Sequence, residues 1–214
     1  MASETRYIAI EGPIGVGKTS LARLLGDAFQ AHTVLEVAEK NPFLEDFYRD
    51  PVRYAFQAQI FFLLSRFRQQ EELVQHQLFQ QTTVCDYLFV KDRIFASVTL
   101  DDKELKLYDE VYQLLEPRVP KPDLVIYLQA ELEVLLRRIR SRSREYERGI
   151  AVEYVEAVSR TYNEFFFHYR ETPLLVINTS EIDFVNQTED LQDLIAKIHK
   201  MKKGTEYDIP LGSR

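Results

Sequence analysis

The sequence predicts a three-layer α/β fold, a five-stranded parallel sheet flanked by helices. Three observations predict it. Five short segments rich in Val, Ile and Leu run without polar alternation, the pattern of strands covered on both faces. Segments with helical periodicity separate them, so strands and helices alternate along the chain. A glycine-rich turn joins the first strand to the first helix.

Taken in order, Tyr7–Glu11 (YIAIE) is the first buried strand, and the helix after the turn runs from about Thr19 to Gln30. Thr33–Val37 is the second strand. Pro51 suits a first helical turn and opens a long helix to about Gln77. Thr82–Asp86 is the third strand. Leu105, Tyr108, Val111, Tyr112 and Leu115 share a helix face, which breaks before Pro117, Pro120 and Pro122. Leu124–Leu128 is the fourth strand and Leu174–Asn178 the fifth. Between them Val152, Val155, Val158, Tyr162, Phe165 and Tyr169 form a helical stripe. The last helix carries Leu191, Leu194, Ile195 and Ile198, with Glu189 and Asp190 near its start and Lys197, Lys200, Lys202 and Lys203 toward its end. That charge order suits the helix dipole. Residues 1–203 read as one domain, and residues 204–214, which lack periodicity, as a flexible tail.

Composition narrows the function classes. A chain of 214 residues is the size of one domain, and 45% hydrophobic with 29% charged residues excludes extensive disorder. Lys+Arg 27 against Asp+Glu 34 gives a net charge of −7, which argues against a partner that is a nucleic-acid polymer or an acidic membrane. Cys85 is the single cysteine, so no internal disulfide can form and secretion lacks chemical support. Met1–Tyr7 has no apolar signal-peptide core, and the apolar run Ile60–Leu64 is too short to span a bilayer. The expectation is a soluble cytoplasmic protein. The histidines, at positions 32, 76, 168 and 199, lack metal-ligand spacing, and Cys85 reads as a buried strand residue.

The turn after the first strand carries the chemistry. Gly12, Pro13, Ile14, Gly15, Val16, Gly17, Lys18 and Thr19 match G-x-x-x-x-G-K-[ST] in full, between a strand and a helix. Glycines let backbone N–H groups curl around phosphate oxygens, and the helix N-terminus adds positive partial charge. Lys18 reaches the outer phosphates of a nucleotide and the Thr19 hydroxyl suits Mg²⁺. The N/T-K-x-D tetrapeptide of GTPases is absent, motor ATPases need a longer chain, and a small-molecule kinase fits the length. After the fourth strand Arg137, Arg138, Arg140, Arg142, Arg144 and Arg148 crowd one stretch without a lysine. Guanidinium groups suit planar, bidentate contact with phosphate, so this stretch reads as an Arg-rich lid over about residues 137–149.

The loop GPIGVGKTS, the segment NPFLEDFYRDP, the helix AFQAQIFFLLSRFR, the stretch DYLFVKDRIFA and the lid RRIRSRSREYERGI occur in this order from Tyr7 to Tyr169. Together they resemble the deoxynucleoside kinases, in particular the bacterial deoxyadenosine/deoxyguanosine branch, with deoxycytidine kinase more distant. The resemblance implies a P-loop kinase fold. It implies transfer of the ATP γ-phosphate to the 5′-hydroxyl of a deoxyribonucleoside, a purine by preference with deoxycytidine possible, and a homodimer. The stripe over residues 150–169 is a candidate part of its interface.

The resemblance also implies roles. Glu36 matches the general base for the 5′-hydroxyl, with Glu39 as runner-up. Gly12–Thr19 and Ser20 match the ATP site, Lys18 with Arg138, Arg142 and Arg144 the charge stabilisers, and Asp86 with Thr19 the Mg²⁺ site. Tyr48 and Glu147 match the contacts to the sugar 3′-hydroxyl. Gln59 matches the amide that pairs with the base, and Arg66 with Asp92 the pair linked to cytosine and purine substrates. Phe56, Phe61, Phe62, Phe89 and Phe95 are stacking candidates. One position departs from the pattern: the family commonly has Arg after the acidic residue of the third strand, and here Asp86 precedes Tyr87, leaving Lys91 and Arg93 as possible substitutes. Two alternatives stay open, a thymidylate kinase-like nucleoside monophosphate kinase and a catalytically silent nucleotide-binding regulator.

Overall fold

The computed structural model describes residues 6–76, 82–142, 144–147 and 149–208, the side chains of 74–76 excepted. Arg148 of the basic stretch, the side chain of His76 and residues 209–214 of the expected tail lie outside the described residues.

The strands are β1 (Arg6–Glu11), β2 (His32–Val34), β3 (Thr82–Cys85), β4 (Leu124–Gln129), β5 (Leu174–Asn178) and β6 (Thr205–Asp208). All pair in parallel, in the order β2-β3-β1-β4-β5-β6. The helices are α1 (Lys18–Phe29), α2 (Leu44–Arg49), α3 (Pro51–His76), α4 (Lys91–Thr99), α5 (Asp102–Leu115), α6 (Leu132–Ser141), α7 (Val152–His168) and α8 (Thr188–Lys200). β1 lies where strand order reverses, so the loop at its carboxyl end opens into the crevice where such sheets bind ligands.

The central strands are apolar because both faces are covered. Ile8, Ile10, Leu124, Ile126 and Leu128 pack with Leu21, Leu25, Leu194 and Ile198 in one cluster. Tyr7, Ala9, Val125 and Tyr127 pack on the opposite face with Val158, Tyr162 and Phe166. The Tyr127 and Phe166 rings stack at 4.2 Å. Most of the α7 stripe packs into this core: Val155, Val158, Tyr162 and Tyr169 are buried, Phe165 is half-buried and Val152 is exposed.

The sheet has six strands rather than five. β6 comes from the segment that reads as a tail, pairing Thr205–Asp208 with Leu174–Ile177. An edge strand is covered on one side only, so its sequence, TEYD, shows no apolar run. Lys197 Nζ on α8 secures it through Asp208 at 2.6 Å. β2 is shorter than the expected Thr33–Val37, since the Glu36 N–H is taken by the Asp86 carboxylate, 2.7 Å away, rather than by the ladder. Of the expected lid, residues up to Ser141 continue α6, which buries Val134, Leu135 and Ile139.

Candidate active site

The phosphate loop is shaped by close packing. Gly12 holds φ 150°, and a Cβ there would lie 2.4 Å from the Leu128 carbonyl oxygen on the neighbouring strand, so only glycine fits. Gly17, with φ 109°, turns the chain into α1. Ile14, Gly15, Gly17, Lys18, Thr19 and Ser20 line the cleft, while Val16 is buried in the core behind it. Lys18 Nζ folds back to donate to the carbonyls of Gly12 (2.6 Å) and Pro13 (3.0 Å). Burial, helped by the Lys91 ammonium, draws its pKa down to about 7 against the pull of Glu11, Glu36 and Asp86.

Across the same cleft, of about 940 Å³ with its open mouth, stands Glu36. One carboxylate oxygen accepts from Arg66 on α3 and the other from Lys91 on α4. Burial alone would raise this carboxyl, but the two cations more than offset it and hold Glu36 well below the usual carboxylate range. Asp86, just past β3, accepts from the Thr19 hydroxyl at 2.6 Å and from the Glu36 N–H at 2.7 Å. That hydroxyl and carboxylate are the hard oxygen donors a magnesium ion takes. Among the described residues no three His, Cys, Asp or Glu side chains cluster as a metal cage, so such an ion would draw further ligands from phosphates and water.

The floor of the cleft is built on α3. Gln59 and Arg66, seven residues apart, share its inner face and both line the cavity. Gln59 Nε2 donates to Thr99 Oγ1 at 3.2 Å. Arg66 bonds Asp92 as well as Glu36, and Asp92 is fully buried behind it rather than at the cleft wall. Arg66 Nε and Asp92 Oδ2 are buried with no hydrogen-bond partner among the described residues. Of the five stacking candidates, Phe62 and Phe95 line the cleft, under Arg66 (4.7 Å) and Lys91 (5.9 Å) respectively. Phe89 stacks on Tyr112 in a separate core cluster, with Phe56 packed against it.

The roof is the short 3₁₀ turn Glu145–Glu147. Arg142 grips the buried Glu147 carboxylate with two hydrogen bonds, at 3.0 and 2.8 Å. Arg144 approaches Glu39 at 3.5 Å, and Tyr146 donates to the same Glu39 oxygen at 2.9 Å. Glu39, the runner-up base, thus fastens the roof. Tyr48 stacks on Tyr146 at 5.9 Å, and burial with Tyr154 and Glu147 nearby pushes its hydroxyl pKa well up. Tyr48, Glu147, Arg142 and Arg144 all line the cleft, and Arg138 does not. Its guanidinium bonds the Val16 carbonyl (3.2 Å), the Thr179 hydroxyl (2.9 Å) and the Thr179 carbonyl (2.8 Å), bracing the phosphate loop from behind.

One functional position escapes sequence reasoning. Glu11 ends an apolar strand, yet its fully buried carboxylate accepts from the Gly12 N–H (2.8 Å) and the Leu88 N–H (2.9 Å). Burial raises its pKa against the pull of Lys91 and Lys18. A carboxylate closing an otherwise apolar strand beside a phosphate loop is the signal that points to it. Between the two substitutes named for the absent arginine the structure decides: Lys91 reaches Glu36, while Arg93 turns outward to Asp109 at 2.9 Å. Tyr87, after Asp86, is buried and donates to Gln69 at 3.0 Å.

Comparison with known proteins agrees with this arrangement. A family model described as deoxynucleoside kinase matches residues 8–203. The chain is 36% identical to a deoxyguanosine kinase of Bacillus subtilis (strain 168) over 200 residues, which cover 91% of this chain and 97% of that one. It is 36% identical over 213 residues to a deoxyadenosine kinase of Dictyostelium discoideum, with 97% and 85% covered. A solved structure of deoxyadenosine kinase from M. mycoides with the products dCMP and a flexible dCDP bound superposes with a TM-score of 0.81 at 25% identity, over 91% of this chain and 100% of that one. No helix among the described residues is long and apolar enough to cross a membrane. Because the match runs from β1 to just beyond α8 and takes in every wall of the cleft, the chain belongs to the deoxynucleoside kinase family and is an ATP-dependent phosphotransferase.

Proposed function

We propose that the protein phosphorylates the 5′-hydroxyl of a purine deoxynucleoside, with the β- and γ-phosphates of ATP on the Gly12–Thr19 loop and Glu36 as the base. The observation that carries the reading is that Glu36 shares one cleft with Lys18 and Thr19, while Gln59 and Arg66 form its floor. The relatives named as deoxyguanosine and deoxyadenosine kinases support the purine preference.

The acceptor oxygen attacks the γ-phosphorus and the bond to the β-phosphate oxygen breaks, giving ADP and the nucleoside 5′-monophosphate. Glu36 accepts the hydroxyl proton and passes it to solvent. Held ionised by Arg66 and Lys91, Glu36 is a weak base, and it serves first to orient the hydroxyl, the proton moving late in a loose transition state. Lys18 leaves the Gly12 and Pro13 carbonyls for the phosphates, and Arg142 and Arg144 in the roof stabilise charge on the transferring group. Arg138 acts through the loop it braces. A magnesium ion would neutralise charge on the ATP phosphates, with Thr19 and Asp86 as the residues to hold it. Tyr48 and Glu147 bind the sugar 3′-hydroxyl, and Gln59 with Arg66 reads the base, Asp92 holding Arg66 from behind.

The acceptor-side cations favour a neutral acceptor over a phosphorylated one, because Arg66 and Lys91 are already paired with Glu36 and Asp92. A homodimer in the cytoplasm is the expected setting. Incubating the protein with labelled ATP and each of the four deoxynucleosides, dAMP and dTMP tests the reading. Deoxyguanosine or deoxyadenosine should be the best acceptor, and Glu36→Ala should abolish transfer while leaving ATP binding intact. Preferential phosphorylation of a monophosphate, or normal turnover by Glu36→Ala, would refute it.

A further inference from the structure

Glu36 sits where regular structure cannot aim it. β2 has ended at Val34 and the next helical turn begins at Ala38. The one backbone restraint on Glu36 among the described residues is the bond from its N–H to Asp86. The direction of its carboxylate is therefore set by the side chains that hold it, Arg66 and Lys91.

These two cations are not equivalent. Arg66 is divided between Glu36 and the buried Asp92, and it also forms part of the floor that faces the base. Lys91 has Glu36 as its one hydrogen-bond acceptor among the described residues, and its side chain is only 8% exposed. Burying an ammonium group is costly unless its partner is held in return. Lys91 is also the better referenced of the two. It opens α4 with its N–H on the Leu88 carbonyl at 2.9 Å. Leu88 in turn donates its N–H to Glu11 at the end of β1, and the other Glu11 oxygen accepts from Gly12, the first residue of the phosphate loop. One short path, Gly12–Glu11–Leu88–Lys91–Glu36, thus ties the donor loop to the acceptor carboxylate. Phe95 lies beneath the ammonium at 5.9 Å and limits its sideways movement.

We propose that Lys91 is a positioning residue for phosphoryl transfer, fixing the Glu36 carboxylate at a set place relative to the phosphate loop. The inference rests on the reading of Glu36 as the base. It assigns to Lys91 a contribution to the rate of transfer rather than to the affinity for either substrate.

The test compares Lys91→Met, Lys91→Arg, Glu36→Gln and the double variant Lys91→Met/Glu36→Gln in steady-state assays with deoxyadenosine or deoxyguanosine, whichever is the better acceptor. Lys91→Met should lower kcat about 10- to 100-fold with both KM values within about threefold, the signature of misplacing a reacting group. Lys91→Arg should restore most of the loss. In the Glu36→Gln background the Lys91→Met change should cost less than about threefold, because residues that act as a unit are not additive. An unchanged kcat in Lys91→Met, a loss that falls on KM for ATP, or full additivity with Glu36→Gln would overturn the inference while leaving Glu36 as base. Near-normal turnover by Glu36→Gln would instead overturn the reading beneath it. A crystal structure of the wild-type protein with deoxynucleoside and a non-hydrolysable ATP analogue decides the point even if Lys91→Met fails to fold. Lys91 Nζ still bonded to Glu36 supports the proposal, and Nζ turned away from Glu36 overturns it.

Discussion

Replacing Arg66 by Met is the most informative perturbation of stability. The Arg66 side chain is 5% exposed and joins two carboxylates, Glu36 at 17% and Asp92 at 0% exposure. Glu36 keeps Lys91 when Arg66 is lost, so its charge stays compensated. Among the described residues Asp92 keeps no partner: Oδ2 already has none, and Oδ1 loses the one it has. Removing one partner of a buried ion pair costs about 3–5 kcal/mol, most of it the penalty of the charge left behind. At about 2–4 °C per kcal/mol for a domain of this size, Arg66→Met should lower Tm by about 10 °C. The double variant Arg66→Met/Asp92→Asn removes the orphaned charge and should regain at least about 2 kcal/mol. Urea unfolding followed by circular dichroism measures both differences. A loss under about 1 kcal/mol in the single variant, or a double variant no more stable than the single, would refute the assignment of the cost to Asp92.

Two further outcomes are expected. Gly26 lies in α1, where helix propensity would favour Ala by about 1 kcal/mol, but a Cβ there would stand 2.1 Å from Thr33 Oγ1. Gly26→Ala should therefore destabilise by about 1–3 kcal/mol and Gly26→Ala/Thr33→Ala should recover most of it, both read as shifts in the urea midpoint. Asp86→Asn keeps the size of a side chain that meets both Thr19 and Glu36 but removes its charge. Turnover at fixed magnesium should fall about 10- to 100-fold with little change in Tm, and an unaltered magnesium titration would rule Asp86 out of the metal site.

Much of the fold is legible in the residues. The apolar strands YIAIE and LLVIN announce themselves because parallel strands covered on both faces tolerate few polar residues. β6 is invisible for the opposite reason: TEYD lies at the edge, half in solvent, and its pairing with β5 is decided by where α8 delivers the chain. α4 is short and shows no clean apolar stripe, since its first turn buries two charges, Lys91 against Glu36 and Asp92 against Arg66, in place of apolar side chains. α6 looks like a basic lid from its arginines, but Val134, Leu135 and Ile139 anchor it to the core.

The sequence alone determined what depends on neighbours along the chain: the phosphate loop, whose glycines and lysine act within one turn, and the Gln59–Arg66 face set by helical spacing. Tertiary structure decided which charges meet. Lys91 rather than Arg93 reaches Glu36, Glu39 fastens the roof, Arg138 braces the loop from behind, and Glu11 links β1 to the entrance of α4. Long-range ion pairing depends on the relative placement of elements 50 or more residues apart, and no local spacing encodes that placement.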